Sequence, residues 1–328
     1  MKQVSNLLMV FLFILSACAT KSSDRYREGD NKGQAVALTV EEEKKLTREA
    51  LPQMSKEYPK VENRKLQEYI ERMGQKIVRA NNLNGHPYTY TFTAVDSPMV
   101  NAFAMPAGSV FITAPIIAMA DSEAEIAGVL GHEIGHVVAR HTAERMYVAK
   151  KEQGKTWLMG GIGAGVGLAA GFFLGKKMCD PKDTVCRGKF ALGGGAVGAA
   201  GGLMVQKYGF MKNSQEDELE SDRVGFRYAV NTGYDKNKVG DFYAKLQAME
   251  KESKKSGNAV TNWLSDAMSS HPPSDSRVSQ ASELKGKLQN NSSLVSTPEF
   301  ESMRSIAREI VKKSEAAARA KAKTATKG

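Results

Sequence analysis

The chain has 328 residues, 41% of them hydrophobic, enough for one large folded domain with appendages and short of two full ones. Much of its net charge of +10 comes from the run Lys312 to Lys327, which alternates Lys or Arg with Ala and has no aromatic residue. Without stacking groups it is not a nucleic-acid platform, and it reads as a solvated tail, with loose contact to anionic lipid headgroups as the lesser alternative.

At the N-terminus, Lys2 precedes an apolar run from Leu7 to Leu15 that ends in Leu15-Ser16-Ala17-Cys18. The run is too short to span a bilayer and has the form of a secretory signal, residues 1–17. Its last four residues resemble a bacterial lipobox, which implies cleavage before Cys18 and lipidation of that cysteine. Ala19 stands where an Asp would retain a lipoprotein at the inner membrane, so the resemblance implies the periplasmic face of the outer membrane. Residues 18–37, rich in Ser, Asp, Lys and Gly, read as a lipidated tether.

The domain proper then spans 38–290. Thr39 and Glu42 have the spacing of a capping box, starting a helix toward Met54. A second helix is expected from Glu62 to Arg79, because Leu66, Tyr69, Ile70, Met73 and Ile77 share a face. Tyr88 to Val95 alternates as a strand, followed by two short strands, Val100 to Ala104 and Ser109 to Thr113, around the turn Pro106-Ala107-Gly108. His86 reads as a surface histidine.

Ser122 and Glu125 open the next helix, whose apolar residues Ile126, Val129, Leu130, Ile134 and Val137 recur at helical spacing. Within it lies His132-Glu133-Ile134-Gly135-His136, an H-E-x-x-H sequence. Positions four apart project from one helix face, so His132 and His136 can address one ion with Glu133 beside it. Two histidines and a glutamate on an apolar helix are costly to bury without a common partner, and zinc is such a partner. Gly131 and Gly135 cost helix propensity, which points to another backbone passing close by. His141, five residues past His136, falls off this face and reads as structural.

Two Gly-rich apolar blocks fill an insert at 157–205, with glycines four apart that permit close helix contact. The second is short for a membrane span, so a packed or surface-associated hairpin is favoured over a membrane-inserted one. Cys179 and Cys186 flank a polar turn between the blocks, and an exported chain meets an oxidising compartment, so a disulfide between them is expected. The charge run Gln215 to Arg223 leads an amphipathic helix ending near Gly233. Such a run is usually a solvated face, yet Glu218 and Asp222, four apart, can serve an ion and orient a ligand imidazole. Further helices are expected at Asp235 to Lys251, Ser274 to Lys287 and Pro298 to Ala318, the last opening the C-terminal region 291–328. His271 sits in the stiff turn Ser270-His271-Pro272-Pro273.

With these residues assembled, the chain resembles the gluzincin metallopeptidase family of the CAAX prenyl protease, HtpX and Oma type, and within it the periplasmic members such as BepA and the lipoprotein LoiP. The resemblance covers roughly residues 40 to 285. It rests on Asn101-Ala102-Phe103-Ala104-Met105-Pro106-Ala107-Gly108, the H-E-x-x-H helix, Glu218-Leu219-Glu220-Ser221-Asp222, and His271-Pro272 with Arg277. It departs at Ala107, where the family often has glycine, and at Ser221, where it usually has alanine. The implied fold is α+β and mostly helical, a zincin-like domain with a small sheet preceding the H-E-x-x-H helix. Implied ligands of a single zinc are His132, His136 and Glu218, with Glu133 as catalytic base and Asp222 as acceptor for a ligand histidine.

Three ligands leave one position for water, which suits hydrolysis of a peptide bond. His271 is the candidate oxyanion donor or, alternatively, the group that closes the fourth position at rest. The expected protein is therefore a zinc endopeptidase held at the cell envelope as a lipoprotein, acting on misfolded or misassembled envelope proteins and binding no nucleic acid. The rival, a non-catalytic chaperone-like zinc-binding lipoprotein, has no use for an intact Glu133.

Overall fold

The computed structural model describes residues 28–85, 87–148, 213–255, 270–288 and 293–325. Cys18, His86 and the Gly-rich insert with Cys179 and Cys186 lie outside the described residues. Helix α1 (Val40–Glu57) opens on the expected capping box: Thr39 Oγ1 accepts from Glu42 N and Glu42 Oε2 accepts from Thr39 N. Helix α2 (Arg64–Ala80) starts two residues later than predicted because Asn63 caps it, accepting from Leu66 N at 3.0 Å. Its predicted apolar face is buried throughout.

Strands β1 (Thr91–Val95), β2 (Ala102–Ala104) and β3 (Ser109–Thr113) form one sheet in the order β1-β3-β2. β3 is central and wholly buried, parallel to β1 and antiparallel to β2. β1 is shorter than the alternating sequence because its ladder matches β3 residue for residue, from Thr91 opposite Ser109 to Val95 opposite Thr113. Tyr88, ahead of the ladder, is held instead by its hydroxyl, which donates to the Glu43 carboxylate. Between β2 and β3, Ala107 has φ +67° in a short 3₁₀ turn, the left-handed region that glycine occupies without cost.

After the short helix α3 (Ala114–Met119) comes α4 (Glu123–Val138), which runs through the core with every residue from Glu123 to Val137 buried. Ser122 caps it, while Glu125 reaches Asp121 N and Lys245, so only half of the expected capping box forms. Helix α5 (Gln215–Asn231) crosses α4 at Gly131 and Gly225. A Cβ on Gly131 would lie 2.5 Å from Gly225 O, and one on Gly225 would lie 2.4 Å from Gly131 C and His132 N. The close approach expected from the glycines of α4 is therefore real, and α5 is the partner.

The predicted helix from Asp235 to Lys251 divides at Gly240 into α6 (Lys236–Val239) and α7 (Asp241–Lys255). Helix α8 (Asp275–Lys287) is capped by Ser274. Helix α9 (Pro298–Ala325) runs past the predicted Ala318, through a sequence of strong helix formers. Its first turns belong to the core: Phe300, Met303 and Ala307 are buried, and Thr297 donates from N and Oγ1 to Glu123 at the start of α4.

Part of the expected tether is docked. Asn31 Nδ2 donates to Val138 O at 2.9 Å and Gln34 Nε2 to Ala139 O at 2.7 Å, so polar side chains of this segment satisfy carbonyls left open at the C-terminus of α4.

Candidate metal centre

Helices α4 and α5 and the turn before α8 bring four groups together. His132 and His136 lie one turn apart on α4, and Glu218 faces them from the first turn of α5 across the glycine crossing. His271 enters from the turn that Ser274 ends by capping α8. His132 Nε2 lies 3.0 Å from His136 Nε2 and 3.3 Å from Glu218 Oε2, and His136 Nε2 lies 3.2 Å from Glu218 Oε1. His271 Nδ1 lies 3.2 Å from His132 Nε2 and 3.1 Å from Glu218 Oε1.

These four could hold a metal ion, since one ligand atom from each lies within 4.8 Å of the others. Zinc bound tetrahedrally at 2.0–2.1 Å has edges of about 3.3–3.4 Å between its ligand atoms. The spacings above fall at or just below that length, and imidazole nitrogens with a carboxylate are zinc-type donors. The residues fit the ion.

Surrounding groups fix the donors. Asp222 Oδ1 lies 2.8 Å from His132 Nδ1, and Arg277 grips the same carboxylate through Nε at 2.6 Å and Nη2 at 2.7 Å. Arg277 Nη1 reaches Glu218 Oε2 at 2.7 Å, and the guanidinium stacks 4.7 Å from the Tyr243 ring. The Tyr243 hydroxyl in turn donates to Gly128 O on α4.

Burial alone would raise the Glu218 carboxyl, but His271, Arg277 and His132 hold it well below the ordinary range. Asp222 is likewise held low against burial by Arg277 and His132. Burial would lower His132, yet Glu218 and Asp222 raise it to about 9, whereas burial keeps His136 well below the usual histidine value. Glu133 is raised by burial, and its Oε1 lies 3.5 Å from His271 Nε2.

Every candidate within the described residues thus meets at one place: His132, His136, Glu218 and His271 within reach of one ion, Glu133 beside them and Asp222 behind His132. The charge run of α5 is not a solvated face. Asp217, Glu218, Glu220, Asp222 and Arg223 are buried, and Leu219 among them is more exposed.

Two contributors, Tyr243 and Asn213, were missed in the sequence, and one contact of a third, His141, was not foreseen. Tyr243 carries no motif. Asn213 has its Nδ2 3.3 Å from both His136 Nε2 and His271 Nδ1, and nothing in its surroundings in the chain marks it. His141 stays outside the donor cluster but lies 2.8 Å from His136 Nδ1. Helical projection misplaces it because α4 ends at Val138 and Arg140, at φ +54°, turns the chain back.

Comparison with known proteins places the chain in a family. The family model described as Peptidase family M48 matches residues 64–285, more than half of the chain. The chain belongs to peptidase family M48. Among relatives, it is 27% identical over 246 residues to the beta-barrel assembly-enhancing protease of Yersinia pestis, covering 75% of this chain and 44% of that protein. It is 33% identical over 141 residues to metalloprotease LoiP of Escherichia coli (strain K12), covering 42% of this chain and 53% of that protein. Over 79 residues it is 37% identical to mitochondrial metalloendopeptidase OMA1 of Arabidopsis thaliana, 24% of this chain and 16% of that one. The chain therefore spans less than half the length of the beta-barrel assembly-enhancing protease it matches. Among the described residues, no helix is long and apolar enough to cross a membrane.

Proposed function

We propose that this M48 member is a zinc-dependent endopeptidase of the bacterial cell envelope, anchored as a lipoprotein through Cys18. The observation that carries the reading is the convergence of His132, His136, Glu218 and His271 next to a buried Glu133. His132, His136 and Glu218 are assigned as ligands of one zinc per chain, and Asp222 as the group that orients His132. Zinc, when bound, supplies Lewis acidity and a water of lowered pKa.

The chemistry then falls to the chain. Glu133, whose proton affinity is raised by burial, takes a proton from the attacking water. The water oxygen adds to the peptide carbonyl carbon, the C–N bond breaks, and Glu133 passes the proton to the departing amine. Asp222 and Arg277 keep His132 and Glu218 from turning while charge builds up.

His271 has its Nδ1 beside Glu218 and His132, at the fourth corner of the donor set, and its Nε2 toward Glu133. This placement favours closure of the site at rest over a standing oxyanion donor, and access then requires the turn before α8 to swing out. Substrates are assigned as unfolded or misassembled envelope proteins, in keeping with relatives named beta-barrel assembly-enhancing proteases.

Casein turnover and zinc content of wild type, Glu218→Ala and His271→Ala test the reading together. Glu218→Ala is expected to lose zinc and turnover in parallel, and full retention of both removes it from the ligand set. His271→Ala is expected to raise basal turnover. A fall of about 10²–10³ at equal zinc would make His271 an oxyanion donor instead.

A further inference from the structure

Behind His136 lies a buried chain of polar groups that the proposed chemistry does not use. His136 Nδ1 is 2.8 Å from His141 Nδ1, and His141 Nε2 is 3.2 Å from Glu220 Oε2. The other oxygen, Glu220 Oε1, accepts from Gly29 N at 3.0 Å. Ser221 Oγ lies 3.3 Å from His141 Nδ1, and Asp217 Oδ1 lies 3.7 Å from His141 Nε2. His141 is 1% exposed and Glu220 2%.

Each proton in this chain has one consistent place. A histidine that gives Nε2 to a metal keeps its proton on Nδ1, so His136 Nδ1–H donates and His141 Nδ1 accepts. The His141 proton then sits on Nε2 and donates to Glu220, whose remaining oxygen takes the backbone N–H of Gly29. Donor and acceptor alternate from end to end without conflict. The arrangement parallels the other ligand: His132 is held directly by Asp222, whereas His136 is held by Glu220 at one remove, through His141.

We propose that His141 is a positioning residue for the metal centre, which fixes the tautomer and ring orientation of His136 and is itself fixed by Glu220 and the docked segment that carries Gly29. This inference rests on the zinc assignment above. Outer-shell partners of ligand histidines change metal affinity by about 10–100-fold when removed, which sets the expected size of the effect.

The test uses the full chain and zinc itself, with the dissociation constant measured by competition against a chromophoric chelator and the visible spectrum recorded after cobalt substitution. His141→Ala is expected to raise the zinc Kd by about 10–100-fold and to alter the cobalt spectrum. Two further variants separate positioning from space filling. In His141→Asn, the amide oxygen occupies the place of Nδ1 and still accepts from His136; in His141→Gln, the amide nitrogen occupies the place of Nε2 and reaches only Glu220.

Asn, though smaller, is expected to restore most of the affinity, and Gln is not. Restoration by Gln and not by Asn overturns the proposal, as does an unchanged Kd in His141→Ala. Should the His141 variants fail to fold by circular dichroism, Glu220→Gln probes the same chain from its outer end. A raised Kd there supports the proposal, and wild-type affinity overturns it. Wild type without zinc would overturn the metal assignment as well, whereas wild type with zinc and an indifferent His141→Ala defeats this inference alone.

Discussion

His132 holds two partners on opposite sides of one ring, and that decides what the metal-free protein does with a proton. Glu218 and Asp222 outweigh burial and raise its pKa to about 9, while His136, held low by burial, stays neutral. A histidine raised in the folded state adds stability that is fully present below its ordinary value near 6.5 and lost as pH rises through about 9. Zinc competes with that proton, so zinc affinity rises with pH across the same window. Calorimetric titration at pH 7 in buffers of different ionisation enthalpy is expected to show at least one proton released per zinc bound, and no release would contradict the protonated His132. At this scale the sequence was informative where a regular helix sets direction, as for His132, Glu133 and His136. It was uninformative where one left-handed residue, Arg140, redirects the chain and brings His141 back to His136.

Between elements, the centre depends on how closely α5 can lie on α4. Glu218 reaches the two histidines only because Gly131 and Gly225 let the backbones touch, and a Cβ at Gly225 would meet backbone 2.4 Å away. Gly225→Ala is expected to cost about 1–3 kcal/mol in chemical denaturation, through overpacking, and to weaken zinc retention by moving Glu218 outward. Normal stability with full zinc would show that the crossing does not set the site. The glycines of α4 announced a close neighbour, but its identity is a tertiary fact that helical periodicity does not contain. By composition alone, the charge run of α5 resembles a solvated face for a related reason. Its acids become tolerable inside the protein only beside Arg277, Arg145, His132 and His141, all distant in sequence. Caps, by contrast, are local, and Thr39 and Ser122 were readable because each satisfies a backbone N–H within its own turn.

At the scale of the whole molecule, the catalytic domain is proposed to hang from the membrane by its N-terminus. The docked stretch that carries Asn31 and Gln34 then lies between the anchor and the end of α4. Cys18→Ser is expected to shift the protein from the membrane to the soluble fraction of a cell lysate, since acylation of that cysteine is the proposed attachment. Unchanged fractionation would transfer the role to another segment. The overall class, a mostly helical α+β domain with a small sheet ahead of α4, was legible because strand alternation and helix periodicity are strong here. The inclusion of the first turns of α9 in the core was not, since Phe300 and Met303 give only a short apolar signal ahead of a long charged helix. The central claim is that this constellation hydrolyses peptide bonds with zinc and Glu133. Casein degradation by wild type and Glu133→Gln, with zinc measured on both, tests it most directly. Equal zinc with turnover reduced by about 10²–10⁴ is predicted, and turnover by Glu133→Gln at the wild-type rate would contradict it.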